Sequence, residues 1–183
     1  MSPAGSAVPR RPPDYARTLA SRLTGGPFPE VGIPGLAKLR SADSGHDAHV
    51  LYIYPGSVSS PLQRQETPLA DAEQHRAFRE LESRWTDLRV QVIGLSSQSQ
   101  GQVEAMTTPG LHHWLLSDPL LLLAATLDLP TFPCGAGRCY ERTMLIIVAR
   151  RITKVFYPVH TPGRSAEQIL TWMRLIPMRN QDR

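Results

Sequence analysis

Short apolar runs of strand-forming residues alternate along this chain with longer stretches in which apolar positions recur every three or four residues. "HVLYIYP" (49–55) is a continuous apolar run stopped by Pro55-Gly56, and it predicts a strand buried on both faces. "RVQVIGLS" (89–96), "TMLIIVA" (143–149) and "ITKVFYPV" (152–159) predict three more strands, the last two separated by an Arg150-Arg151 turn. After the first strand, Phe78, Leu81, Trp85 and Leu88 repeat at helical spacing, with Asp71 and Gln74 placed as an N-cap and its third-position partner. Ser99 with Gln102 predicts the start of a second helix and Asp118-Pro119 that of a third. Ser165 with Gln168 opens a last helix carrying Ile169, Leu170 and Met173. The order β-α-β-α-(β)-α-β-β-α describes an α/β sandwich ending in an antiparallel hairpin.

Residues 1–13, "MSPAGSAVPRRPP", hold almost nothing to bury and predict disorder, while 14–23 predict a short helix ended by Gly25-Gly26. The organisation expected is an arm over 1–26, disordered or weakly helical, a domain over 27–177 and a tail over 178–183. With 183 residues, 41% hydrophobic and 20% charged, the chain has the length of one domain and enough apolar material for a core. The net charge of +4 is spread over scattered arginines with no basic block, which argues against nucleic acid as a partner. The densest apolar run, "LLLLAATL" (120–127), is too short to span a bilayer, so no membrane partner is expected. Arg10-Arg11 has the look of a twin-arginine export signal, but "PPDYARTLASRLTGG" follows without a continuous apolar region, and a cytoplasmic chain is expected.

The two cysteines lie together in "PTFPCGAGRCYERT" (130–143), as Cys134 and Cys139. Two are too few for a disulfide framework, and in a reducing compartment a bond between them is transient and chemical rather than structural. The glycines of "CGAGRC" let the loop turn sharply, which brings the sulfurs within disulfide range if the flanks run antiparallel. Arg138 and Arg142 are close enough in sequence to favour a thiolate. The alternative is a pair of half-buried small apolar residues in a loop. A zinc site needs two further ligands. His112, His113 and His160 offer neither an H-x3-H nor a partner C-x2-C, so no metal and no other cofactor is expected. Trp85 and Trp172 sit at packing positions. His75 reads as a surface residue, or as a proton carrier if it faces a pocket.

Taken together, "FPEVGIPGL", "HVLYIYP", "QHRAFRELE", "VIGLSSQS", "LLSDPLLLLAATLDLPTF" and "RTMLIIVARRITKVFYPVHTP" resemble the peroxiredoxins, the alkyl hydroperoxide reductase/thiol-specific antioxidant superfamily of the thioredoxin fold. The resemblance covers roughly residues 27 to 175 and implies a thioredoxin-like central sheet flanked by helices, close to the atypical two-cysteine type. It also implies a homodimer, a peroxide substrate and a thiol reductant. In that type the peroxidatic cysteine opens the first helix and the resolving cysteine follows five residues on. Matching on Ala77-Phe78-Arg79 places Asp71 at the first position and Arg76 at the second, so both thiols are absent. A carboxylate cannot change oxidation state as a thiolate does, and peroxide reduction cannot run there. Pro55 matches the proline ending the first core strand, and Arg142 the arginine that lowers the thiolate pKa. Thr67 matches the site threonine one residue out of register.

Three functions are open on this reading. One is a divergent thiol oxidoreductase, acting on peroxides or disulfides, in which Cys139 attacks near Arg142 and Cys134 resolves. The second is an enzyme of another class, as in specialised metabolism, that uses Asp71, Arg142, Pro55, Thr67 and His75 as a small-molecule pocket. The third is a catalytically inactive binding protein. Asp71 beside Arg142 most simply forms an ion pair.

Overall fold

The computed structural model describes residues 12, 14–40, 45–56, 68–106 and 114–175. The continuous apolar run becomes β1 (Ala48–Ile53), buried along its whole length because it lies at the middle of a five-stranded sheet. β1 pairs parallel with β2 (Val90–Ser96), Leu51 opposite Ile93, and antiparallel with β6 (Thr143–Val148), Leu51 opposite Leu145. β3 (Trp114–Ser117) extends the sheet parallel to β2, and β7 (Arg151–Phe156) closes the other side as the hairpin partner of β6. The order is β3-β2-β1-β6-β7.

Successive residues of a strand face opposite sides, so the sheet feeds two cores. On one side Leu51, Ile53, Ile93, Leu95, Leu145 and Ile147 pack against α1 (Tyr15–Leu23) and α5 (Leu122–Leu127). On the other, Val50, Tyr52, Tyr54, Val92, Met144 and Ile146 pack against α2 (Pro68–Glu80), α3 (Glu82–Asp87) and α6 (Ser165–Leu175). Gly94 is required where the second layer comes closest. A Cβ there would lie 2.6 Å from the Leu115 side chain and 2.7 Å from the Tyr52 ring. A short α4 (Gln100–Met106) starts with the expected reciprocal cap, in which Ser99 N–H donates to Gln102 Oε1 at 2.9 Å and Gln102 N–H to Ser99 Oγ at 3.4 Å.

Several elements differ from the sequence reading. The helix expected through Leu88 breaks at Leu81, whose φ of −105° and ψ of 18° are not helical. The break frees the Phe78 carbonyl from its helical partner, and the Trp85 indole N–H takes it at 3.1 Å. The third helix starts at Leu122 instead of directly after Pro119. Asp118 still caps it, accepting Leu122 N–H at 2.9 Å and Leu123 N–H at 3.0 Å across a tight turn. The helix at 15–23 is docked and does not stand apart from the domain. Leu19 and Leu23 are buried in the first core, at about 1.5–3 kcal/mol each. The segment after it adds to the β7 edge through Gly25 N–H to Ile152 O at 2.7 Å and Ile152 N–H to Gly26 O at 2.9 Å. The expected disorder over 1–13 and the tail at 178–183 fall outside the described residues, apart from Pro12. No described helix is long and apolar enough to cross a membrane.

Candidate functional site

Asp71 and Gln74 do not form the expected cap. α2 begins at Pro68, three residues earlier, so both lie inside the helix, one turn apart on one face, and both point inward. Asp71 is 2% exposed, Gln74 0%, and Arg142, arriving from the connection before β6, 3%. One Arg142 nitrogen donates to Asp71 Oδ1 at 2.7 Å and the other to Gln74 Oε1 at 2.5 Å, a planar fork shared between a carboxylate and an amide. The Gln74 amide then donates to Ser165 Oγ at 3.1 Å, at the first residue of α6. One network thus joins α2, α6 and the strand connection.

Two phenols of β1 and its extension face this network. Burial pushes Tyr52 well above its ordinary pKa, with Tyr54 and Asp71 adding to the shift and Arg142 opposing it. Burial also pushes Tyr54 up to about 12, against a hydrogen bond with Ser96. Both stay protonated at ordinary pH. The Tyr52 hydroxyl is hydrogen-bonded to His75 Nδ1, 2.7 Å away. His75 is half-buried and lies edge-on to Tyr54, with ring centroids 4.6 Å apart. Pro55 is buried directly after β1, its carbonyl 3.5 Å from Ser97 Oγ. Thr67 lies outside the described residues, as do His112 and His113. Arg76, exposed, sits 3.9 Å from Glu80 along the helix.

The cysteine loop is a ribbon. β4 (Thr131–Cys134) and β5 (Gly137–Tyr140) form a separate two-stranded antiparallel sheet, turned at Gly135, whose φ is +56°. Phe132 opposes Cys139 and Cys134 opposes Gly137, so the two cysteines are diagonal neighbours on one face. Their Cα atoms are 5.8 Å apart and the sulfurs are joined in a disulfide. Cys134 is 8% exposed and Cys139 4%.

Of the two arginines expected near the thiols, both bind other groups, Arg142 in the ion pair with Asp71 that was the simplest expectation for it. Arg138 belongs to the opposite face of the ribbon, where its guanidinium donates to Thr131 Oγ1 at 2.9 Å and to Thr131 O at 3.0 Å. Arg142 directs its charge to Asp71 and Gln74. The sequence-predicted residues thus form two units, the Asp71–Arg142 pair with its tyrosines and His75, and the Cys134–Cys139 disulfide. Among the described residues no group of three His, Cys, Asp or Glu side chains is placed to hold a metal ion. Sequence reasoning missed Gln74 as the second acceptor for Arg142, although its i+3 spacing from Asp71 carried that signal. It also missed Tyr140, which stands beside Cys139 and reaches Asp118.

No protein-family model matches this sequence, and no curated protein matches it. Solved structures do. The bacterioferritin comigratory protein of Xanthomonas campestris is 18% identical over 79% of this chain and 87% of its own, with a TM-score of 0.59. PrxQ of Xylella fastidiosa is 21% identical over 73% of this chain and 80% of its own, with a TM-score of 0.57. The peroxidoxin BcpB of Mycobacterium tuberculosis is 20% identical over 70% of this chain and 79% of its own, at 0.53. At these identities what is shared is the fold, a thioredoxin-like α/β arrangement of the kind these peroxiredoxin structures have.

Proposed function

We propose that this chain is a thiol–disulfide oxidoreductase whose redox couple has moved from the first helix to the ribbon, with Cys134 and Cys139 as its two sulfurs. The observation that carries the reading is the disulfide itself: the chain has two cysteines, and they meet across one short hairpin. At the inherited position Asp71 cannot be oxidised and Arg142 is already neutralised, so neither a nucleophile nor a free cation is offered to a peroxide there.

In the oxidised protein an incoming thiolate attacks one ribbon sulfur, the intramolecular S–S bond breaks, and the other cysteine leaves as a thiolate and takes up a proton. A second external thiol releases the mixed disulfide, so two thiols become one disulfide and the ribbon becomes a dithiol. The dithiol returns by the reverse exchange with a substrate disulfide. With a hydroperoxide, attack on the outer oxygen breaks the O–O bond, an alcohol leaves, and the second cysteine expels water from the sulfenic acid. Arg142, the cation expected to activate Cys139, is held by Asp71. Both cysteines are buried, Cys134 slightly less so, and this reading takes Cys134 as the sulfur met from solvent and Cys139 as the resolving one.

The test is a thiol count by alkylation and mass spectrometry. Reduced protein should carry two free thiols, and oxidised glutathione or a hydroperoxide should remove both with the loss of two hydrogens. Cys139→Ser should form a stable mixed disulfide at Cys134 faster than Cys134→Ser does at Cys139. Two thiols that stay free and alkylate slowly and equally would overturn the reading and leave a binding protein on this fold.

A further inference from the structure

Both sulfurs hang from one helix. β4 leaves the C-terminal end of α5 through Leu129, whose N–H donates to Ala124 O at 3.1 Å. β5 returns to the same helix through Tyr140, which is fully buried. Its hydroxyl donates to Asp118 Oδ2 at 2.5 Å and accepts the Ala124 N–H at 3.1 Å. Asp118 also receives the first N–H groups of α5, and its own N–H donates to Ser96 O at 2.8 Å at the end of β2. The base of the ribbon is closed by Glu141 N–H to Pro130 O at 2.9 Å. Neighbours on a strand face opposite ways, so Tyr140 turns into the core while Cys139 turns to Cys134.

We propose that Tyr140 is a positioning residue that sets how readily the Cys134–Cys139 disulfide is reduced. The inference rests on the reading of that pair as a working couple. Closing a dithiol costs the freedom of the two strands that carry it. A strand already fixed loses less, so each sulfur sees a higher effective concentration of the other. Tyr140 fixes β5 in the dithiol form, one residue from the sulfur that must be held. Burial and the Asp118 carboxylate both push the phenol pKa up, so the donor persists across working pH. The exchange it biases is balanced: two ribbon thiols and one oxidised glutathione give the ribbon disulfide and two reduced glutathiones.

The experiment equilibrates wild-type protein and Tyr140→Phe in glutathione buffers of graded ratio and quantifies dithiol and disulfide by mass after alkylation. Removing the hydroxyl should lower the effective concentration roughly tenfold, or about 30 mV for a two-electron couple. Asp118→Asn, which keeps an acceptor for α5, should shift it the same way and serves if Tyr140→Phe fails to fold. Thr126→Ala removes a hydrogen bond within α5 away from the ribbon and should leave the equilibrium unchanged. A purely structural role would destabilise both redox forms equally, so titrations of wild type and Tyr140→Phe that coincide within twofold would overturn the inference. A wild-type pair that ignores the glutathione ratio would overturn the redox reading itself, and this inference with it.

Discussion

Asp71 Oδ1 lies 2.7 Å from an Arg142 guanidinium nitrogen, with 3% and 1% of the two side chains exposed. The helix and the strand connection they join are 71 residues apart in the chain. A buried pair of this kind contributes little over an apolar replacement, yet losing one member strands the other charge away from water.

Asp71→Ala should therefore lower stability by about 3–5 kcal/mol, while the double variant Asp71→Leu with Arg142→Met should regain a large part of it. Urea unfolding of the three proteins checks this. If the double variant is less stable than Asp71→Ala, the pair is worth more than its isostere and the desolvation argument is wrong here.

Asp71→Cys should place a thiol against the same guanidinium. Its pKa should fall well below the ordinary value of about 8.5, and peroxide consumption with a small thiol should appear above the wild-type level. The pH dependence of alkylation reads the first and a peroxide assay the second. A thiol at 71 that titrates at its ordinary value would show that Arg142 does not reach it.

His49 supplies a pH dependence. It lies buried on β1, 6% exposed, and its pKa is lowered from 6.5 to about 4, first by burial and then by the charge of His46. The folded protein keeps it neutral, whereas the unfolded chain binds a proton below 6.5. Stability should fall as pH drops from about 6.5 to about 4 and level off below, by on the order of 2 kcal/mol after solvent screening. His49→Gln should remove that part of the slope in urea titrations at pH 7 and 5. An unchanged slope would move the effect to other groups.

The β6–β7 turn places Ala149 and Arg150 at φ of 47° and 63°, conformations that side chains with a Cβ adopt at a cost. Replacing them by Asn-Gly should stabilise the protein by about 1 kcal/mol or more, since that dipeptide suits a two-residue hairpin of this hand. Thermal unfolding would show it as a rise in Tm. A lower Tm would mean that Arg150 makes a contact worth more than the strain.

The four long strands were legible because β1, β2, β6 and β7 are apolar enough to be recognised without their partners, and the Ser99–Gln102 cap because it is local. The ion pair was legible through the family resemblance, which put Asp71 and Arg142 at one site from opposite halves of the chain. What escaped depends on tertiary partners. The break at Leu81 is stabilised by an indole four residues on, and Asp71 with Gln74 looked like a cap because a polar pair at i and i+3 reads the same whether it closes a helix end or faces inward. Ribbon strands of four residues around Gly135 and Gly137 are too short to announce themselves. Where Arg138 points was not readable either, since the register that sends it to the far face exists only once β4 and β5 pair.

Thr131 and Tyr140 are Cα partners across the ribbon, so the chain between them leaves and re-enters the body of the protein at one place. Both cysteines belong to that detour, while all five strands of the main sheet lie outside it. An architecture of this kind separates inheritance of the scaffold from inheritance of the chemistry: the detour can be exchanged, shortened or given new side chains while the sheet keeps its register. Under the proposed function the reactive element is then a replaceable cartridge, and its fit to the scaffold is read where it leaves and rejoins the core, at Leu129, Glu141 and Tyr140.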